Sequence, residues 1–460
     1  MEEFYRDAAI KAIQNLGEYA EARLEHTTVK EFSMKNGVLL GAAAYERQGM
    51  GVRFLNRGSL GFASTTDFDN VAKVVSNAGS MAKRACSNCD NYKLSQEQTY
   101  KANYSVVQRK PVNDVSIEQC VELLTDIDAG LAELGVSSRF VSLEVEFIEK
   151  TFLNDQGSEI NSQTPRINLH YLFTTDTCQR FWQKGACEGF EVFKQWNLEE
   201  AIPQEAKEII AANSTTDRVV EKVDLVVSPE IAGIIAHESC GHPYEADRIL
   251  GREAAQAGES FLKLNMRGTM FSNTCVSVID DPTIKGSYGY FEFDDEGTRA
   301  KPKKLIDHGK INALLSDRIN AAFLAEQSSG NSRASSFNRE PLIRMSNTFF
   351  EPGTKTEDEL IADTKNGVYL KRFMEWNIDD VRYNQKYVGC EAYKIENGKI
   401  TTPVRNPIIE ITTPQMYSSI VDVANNLEFH AASCGKGEPM QGMPVYMGGP
   451  SLRINGITLK

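Results

Sequence analysis

Two histidines five positions apart, with a glutamate directly after the first, constrain this chain more than any other feature. They lie in residues 228–242, which read SPEIAGIIAHESCGH, and the chain has only six histidines in all. A histidine pair next to a glutamate on one helix is the arrangement that puts a metal beside a base. The helix can be argued locally. Val223, Leu225, Val226 and Val227 read as a short buried strand. Ser228 suits an N-cap, Pro229 the first helical position, and Glu230 the first turn, where the helix dipole favours an anion. Ile231, Ile234 and Ile235 then form an apolar stripe at helical spacing. On a regular α-helix, positions i and i+5 lie about 140° apart and face different ways. A π-bulge reduces that angle to about 50°. The spacing therefore predicts a bulged or broken helix around Ser239, Cys240 and Gly241, with Gly241 tolerating the distortion.

The length of 460 residues predicts two or three domains with room for large cores. A formal charge of −13 argues against non-specific binding to nucleic acid or to an anionic membrane. No apolar run approaches the roughly 20 residues of a membrane span, so no membrane association is expected. Residues 1–7, MEEFYRD, lack a basic region followed by an apolar core, and no signal peptide is expected. Nine scattered cysteines fit reduced thiols in a cytoplasmic protein better than a disulfide scaffold.

Along the chain, residues 3–25 read as an amphipathic helix through Ala8, Ile10, Ile13, Leu16 and Tyr19. Strands are expected at 28–34 and 38–45 around the Asn36-Gly37 turn, and at 51–54 and 60–63 around 56–58. A helix capped by Asp67 follows, through Val71, Val74, Ala78 and Ala82. Cys86 and Cys89 form an isolated CxxC, weak evidence for metal or redox chemistry. Residues 90–114 read as a linker, and 116–134 as a helix with a capping-box start at Ser116 and Glu118. Strands are expected at 140–149 and 160–175, a strand pair at 181–193, and a helix at 198–212. The fold class is thus α+β: an N-terminal mixed helix and antiparallel-sheet domain at 1–213, then a β-rich, barrel-like C-terminal domain at 217–460 that carries the HExxxH helix. Segments 28–85 and 140–213 share an element order that suggests an internal duplication. In the C-terminal half, strands are expected at 276–279, 288–293, 304–308, 311–315 and 408–412, with helices at 319–324, 356–364 and 416–423.

A hydrolytic zinc site needs three protein ligands and one open position. His237 and His242 supply two. For the third, Cys240, His308, His430, Cys434 and several carboxylates are candidates, and local physics does not choose among them.

Several motifs in order resemble the TldD/PmbA family of metalloproteases, on the TldD side. They are HESCGH from His237, GSYGYFEFDDEG from Gly286, GNSR from Gly330, RMSNT from Arg344, SCGKG from Ser433 and GGP from Gly448. The resemblance spans essentially the whole chain. It implies one zinc held by His237, His242 and Cys434, with Glu238 as general base. It implies activity towards unstructured peptides or unfolded segments. It also implies a dimer, either a homodimer or a heterodimer with a PmbA (TldE)-like paralogue that lacks the His-Glu motif.

On that reading zinc activates water and Glu238 relays its proton. Arg344 and Tyr290 are the candidates for a second oxyanion donor. The acidic run Asp294, Asp295, Glu296 reads first as a solvated hairpin turn and second as a contact for substrate or a second cation, Arg333 and Arg344 as structural ion-pair partners, and Met345, Met440, Met443 and Met447 as packing residues. A β-rich domain with glycine turns suits capture of peptides by strand addition. Two rivals stand beside the metallopeptidase. One is a zinc-stabilised scaffold or peptide-binding subunit, with a closed four-ligand site. The other is a thiol hydrolase using Cys240 or Cys434 with a histidine.

Overall fold

Antiparallel pairing decides the first third of the chain. The computed structural model describes residues 3–14, 18–85, 92–253 and 258–460, so Leu16 and the Cys86/Cys89 pair lie outside the described residues. The expected helix over 3–25 stops at Ile13, and a strand, Tyr19–Lys35, takes the rest. Its Ala, Leu and Glu content favours helix locally, but it pairs along its length with Val38–Asn56 on one side and along most of it with Ser138–Asn154 on the other. Tertiary hydrogen bonding outweighs so small a propensity difference. The Asn36-Gly37 turn forms as expected, with both residues at positive φ (48° and 76°). The strands expected at 38–45 and 51–54 are one continuous strand, Val38–Asn56.

These strands belong to a seven-stranded sheet. Its order is Ser59–Thr65, Val38–Asn56, Tyr19–Lys35, Ser138–Asn154, Glu159–Thr174, with Lys101–Ser105 and Gln179–Ala186 both on the last. The first of these two lies in the segment read as linker. Only the first strand expected within 181–193 exists, because Val192–Trp196 is helical. The helix Ile117–Glu133 has a capping box whose second member is Gln119 rather than Glu118.

Beyond Lys222 the strands form other sheets. Lys222–Val227 sits inside a second seven-stranded sheet, parallel to Asn366–Ile378 and antiparallel to Leu452–Thr458. A six-stranded sheet runs from Lys310–Ile311 to an end strand, Glu428–Lys436. These sheets are open, so the architecture is α+β without the expected barrel closure among the described residues. Residues 288–293 form turns rather than a strand, and 416–423 divides into helix Thr413–Ser419 and strand Ile420–Val423.

The helix Pro229–Ala236 lies between these two sheets and is buried at every position. It is a core helix rather than one with a single apolar stripe. A Cβ at Gly233 would lie 2.9 Å from the Met447 carbonyl carbon, so glycine lets the helix press against strand Gln441–Gly449. No helix among the described residues is long and apolar enough to cross a membrane.

The acidic run is the main correction in this region. Asp294, Asp295 and Glu296 are buried, not solvated. Asp294 accepts backbone N–H bonds from Glu296, Thr298 and Ser332. Asp295 pairs with Lys150 at 2.8 Å, and Glu296 with Arg53. The run therefore ties the first sheet to the later half of the chain. Buried carboxylates persist only when neutralised and hydrogen-bonded in this way. Met345, Met443 and Met447 pack in the interior, whereas Met440 is 74 % exposed.

Candidate metal centre

The helix under-winds where the spacing requires. Residues His237–Gly241 form a π-turn, closed by the His242 N–H donating to the His237 carbonyl. The two imidazoles consequently face a common point, with ring centroids 5.0 Å apart. Gly241 has ordinary helical angles (φ −52°, ψ −63°), so its role is space rather than backbone freedom. A Cβ there would lie 1.8 Å from Met345 Sδ. Ser228 precedes the helix but makes no side-chain cap. Its hydroxyl donates instead to the Lys371 carbonyl, 2.6 Å away.

Cys434 arrives from the end strand Glu428–Lys436. One ligand atom from each of His237, His242 and Cys434 lies within 4.8 Å of the others, and all three residues are buried. Cys434 Sγ is 3.4 Å from His242 Nε2. The other candidate ligands lie elsewhere. Cys240 is buried and faces Tyr417. His308 is exposed, its Nδ1 3.4 Å from the Thr274 carbonyl. His430 shares the strand with Cys434 but packs on Trp182.

The surroundings suit a soft divalent cation. Burial alone would raise the Cys434 thiol, but His242, Arg344 and His237 hold it well below its ordinary value. Burial opposes protonation of His237, yet Cys434, Glu238 and Glu245 lift its pKa. Its Nδ1 is buried without a hydrogen-bond partner. One cysteine sulfur and two imidazoles, one of them with an orphaned nitrogen, form a donor set that fits zinc.

Supporting residues orient the ligands. His242 Nδ1 lies 3.2 Å from Glu245 Oε2, which leaves Nε2 for the centre. Glu245 is fully buried. Burial would raise its pKa, but Lys436, His242 and Arg248 keep it well below the carboxylate range. Lys436, from the SCGKG turn, also grips Asp247 at 2.8 Å. Arg344 spans the hairpin, donating to the carbonyls of Cys434 and Gln441. Arg333 donates to those of Met345 and Pro444. Both arginines thus hold backbone carbonyls rather than the expected carboxylates.

Glu238 is held at both oxygens. Trp376 Nε1 donates to Oε1 at 3.2 Å, and Arg382 Nη1 to Oε2 at 3.1 Å. Each oxygen retains one acceptor position. Tyr290, a candidate oxyanion donor, instead donates to Glu292 and lines a different cavity. That cavity, about 900 Å³, separates the first sheet from the 433–444 hairpin. Ser433 lines it, but His237, Glu238, His242 and Cys434 are not among its lining residues. This cavity and the His/Cys cluster are therefore different places.

Sequence reading missed Glu245, Trp376 and Arg382. Glu245 had a local signal, a carboxylate three residues after a histidine on a helical turn. Trp376 and Arg382 had none, because they lie 138 and 144 residues from Glu238.

Comparison with known proteins identifies the family of the chain. Residues 220–460 match the family model described as PmbA/TldA metallopeptidase C-terminal domain, and residues 20–82 match PmbA/TldA metallopeptidase domain 1. A metalloprotease of Methanothermobacter thermautotrophicus is 29% identical over 454 residues, covering 98% of this chain and 97% of that one. A zinc metalloprotease TldD homolog of Saccharolobus solfataricus is 28% identical over 266 residues, 57% of each chain. The crystal structure of TldE from Thermococcus kodakarensis has the same fold, with a TM-score of 0.75 at 16% identity over 99% of both chains. With more than half its length matched by one model, the chain belongs to the PmbA/TldD family of metallopeptidases.

Proposed function

We propose that this chain is the catalytic type of subunit, a zinc metalloprotease that hydrolyses peptide bonds in unstructured peptides or unfolded segments. The observation that carries the reading is the convergence of His237, His242 and Cys434 within 4.8 Å, with Glu238 next in sequence to one ligand. Among the described residues the His/Cys cluster has three members, which supports an open fourth position over a closed structural site. The name of the Saccharolobus relative supports zinc as the metal.

Zinc at this centre supplies Lewis acidity towards water and the scissile carbonyl. Glu238 accepts the proton of the attacking water at a carboxylate oxygen and later delivers it to the leaving amine. The water oxygen joins the carbonyl carbon and the C–N bond breaks. Trp376 and Arg382 fix the carboxylate while this happens. Glu245 holds His242 in one tautomer, and Lys436 and Arg248 neutralise Glu245. The substrate is captured as an added strand, and the working unit is a cytoplasmic dimer, homomeric or paired with a motif-less paralogue.

The test is metal content and turnover measured side by side. Glu238→Gln keeps about one zinc per chain and loses hydrolysis of an unstructured quenched peptide. Peptidase activity persisting in that variant would refute the base assignment, and a metal-free wild type would refute the zinc site.

A further inference from the structure

Arg382 occupies a position that its backbone disfavours. It lies in the turn between strands Asn366–Ile378 and Asn384–Glu396 at φ 64°, a left-handed conformation that suits glycine or asparagine. Such outliers persist where their surroundings over-determine them. Here the Arg382 N–H donates to the Asp379 carbonyl at 3.0 Å. The Asp379 carboxylate accepts from the N–H groups of Tyr383 and Asn384 at 2.7 and 3.0 Å.

The turn is also tied to the metal-binding helix through buried side chains. Ser239, inside the π-turn, donates to Gln385 Oε1 at 2.8 Å. Gln385 donates in turn to the Thr413 hydroxyl, which donates to the Arg382 carbonyl at 2.7 Å. One hydrogen-bonded chain therefore runs from the histidine motif to the backbone of Arg382. Its effect is to bring a guanidinium against Glu238.

That guanidinium is only partly used. Nη1 holds Glu238, while Nε is buried with no hydrogen-bond partner. A charged donor without a partner, on the same planar group that holds the base, lacks an acceptor that substrate can supply. Of the residues expected to stabilise an oxyanion, Tyr290 donates to Glu292, and Arg344, whose Nε is likewise buried without a partner, holds the Cys434 and Gln441 carbonyls rather than Glu238.

We propose that Arg382 is the oxyanion donor of this site: its Nε–H pairs with the scissile carbonyl oxygen as that oxygen gains charge, while Nη1 keeps Glu238 in place. The inference rests on the peptidase reading above. It involves no covalent change at Arg382, whose proton stays on the guanidinium throughout.

The experiment uses full-length, zinc-loaded protein. Arg382→Gln is expected to lower kcat by roughly 100-fold or more, the usual loss for one oxyanion donor, with KM within about threefold. Arg382→Lys keeps a cation beside Glu238 but lacks the Nε–H, and is expected to remain below a tenth of wild-type kcat. Methylguanidine should restore part of the turnover of Arg382→Ala. A second readout needs no turnover. Affinity for a phosphinic peptide, whose tetrahedral oxygen mimics the oxyanion, should fall with kcat/KM in Arg382→Gln, while affinity for the product peptide and zinc content hold. Wild-type kcat in Arg382→Lys, or equal weakening of phosphinic and product peptides, would overturn the assignment. Absence of hydrolysis in zinc-loaded wild type would remove the peptidase reading and this one together. Hydrolysis by wild type with Arg382→Gln unimpaired would remove this one alone.

Discussion

Gly241→Ala should damage both stability and the metal centre, through a single contact. The added Cβ would sit 1.8 Å from Met345 Sδ, where ordinary contact begins at 3.4 Å. The sulfur must therefore retreat by about 1.6 Å, the difference between those distances. Met345 is 0% exposed, so its side chain can retreat only into the close-packed interior. Overpacking of this kind costs about 1–3 kcal/mol. Met345→Ala removes the obstruction but leaves a cavity, at about 2–5 kcal/mol. In the double variant the new methyl group enters vacated space. Its cost should fall short of the sum of the two single changes by at least about 1 kcal/mol, a coupling typical of residues in contact. Urea unfolding of the four proteins, stripped of metal, measures the cycle. Chelator competition on the same proteins measures zinc affinity, which should drop in Gly241→Ala because His242 follows directly. Additivity within about 0.5 kcal/mol, or wild-type stability in Gly241→Ala, would show that glycine is not there to admit Met345.

Three further outcomes are expected. Cys434→Ser should weaken zinc binding while Cys240→Ser leaves it intact, as read by metal per chain; the reverse pattern would put the third ligand on the helix. Glu245→Gln should reduce zinc affinity roughly 10- to 100-fold by releasing the His242 ring, and an unchanged affinity in a chelator titration would show that Glu245 does not orient it. Burial, assisted by Lys184, Arg180 and Arg372, depresses the pKa of His430 from 6.5 to about 3. The unfolded chain then binds a proton that the folded chain refuses between those values, so the stability is full above about pH 6.5 and is lost as pH falls towards 3. At pH 5, about 1.5 units below 6.5, the loss is about 2 kcal/mol at 1.36 kcal/mol per unit. Urea unfolding of metal-free wild type and His430→Phe at pH 7.5 and 5 should show a smaller acid loss in the variant; parallel losses would contradict a neutral, buried imidazole.

Much of the histidine-bearing turn was legible before any coordinates. Proline at the first helical position, the strand before it and the i, i+5 histidines are local facts, and local geometry follows from them. The glycine before His242 was legible as a residue but not in its purpose. Its φ of −52° needs no glycine, and only Met345, 104 positions further along, explains it. The helix expected over 3–25 failed for a related reason. Residues from Tyr19 onwards have helical composition, but two long partner strands supply hydrogen bonds that composition cannot register. The acidic run at Asp294 looked solvated because its neutralising partners, Lys150 and Arg53, are far away in sequence.

Taken alone, the amino-acid order determined a strand leading into a proline-started helix, an under-wound turn and two imidazoles with one carboxylate beside them. Those interactions span a few residues, and backbone sterics decide them. Tertiary structure alone decided which distant groups complete the centre: a thiol 192 positions from His242, the indole and guanidinium that hold Glu238, and the lysine that neutralises Glu245. Each of these meets its partner only because open sheets bring separate strand ends together around a buried helix, and that juxtaposition is a property of the packed core rather than of any local run of residues.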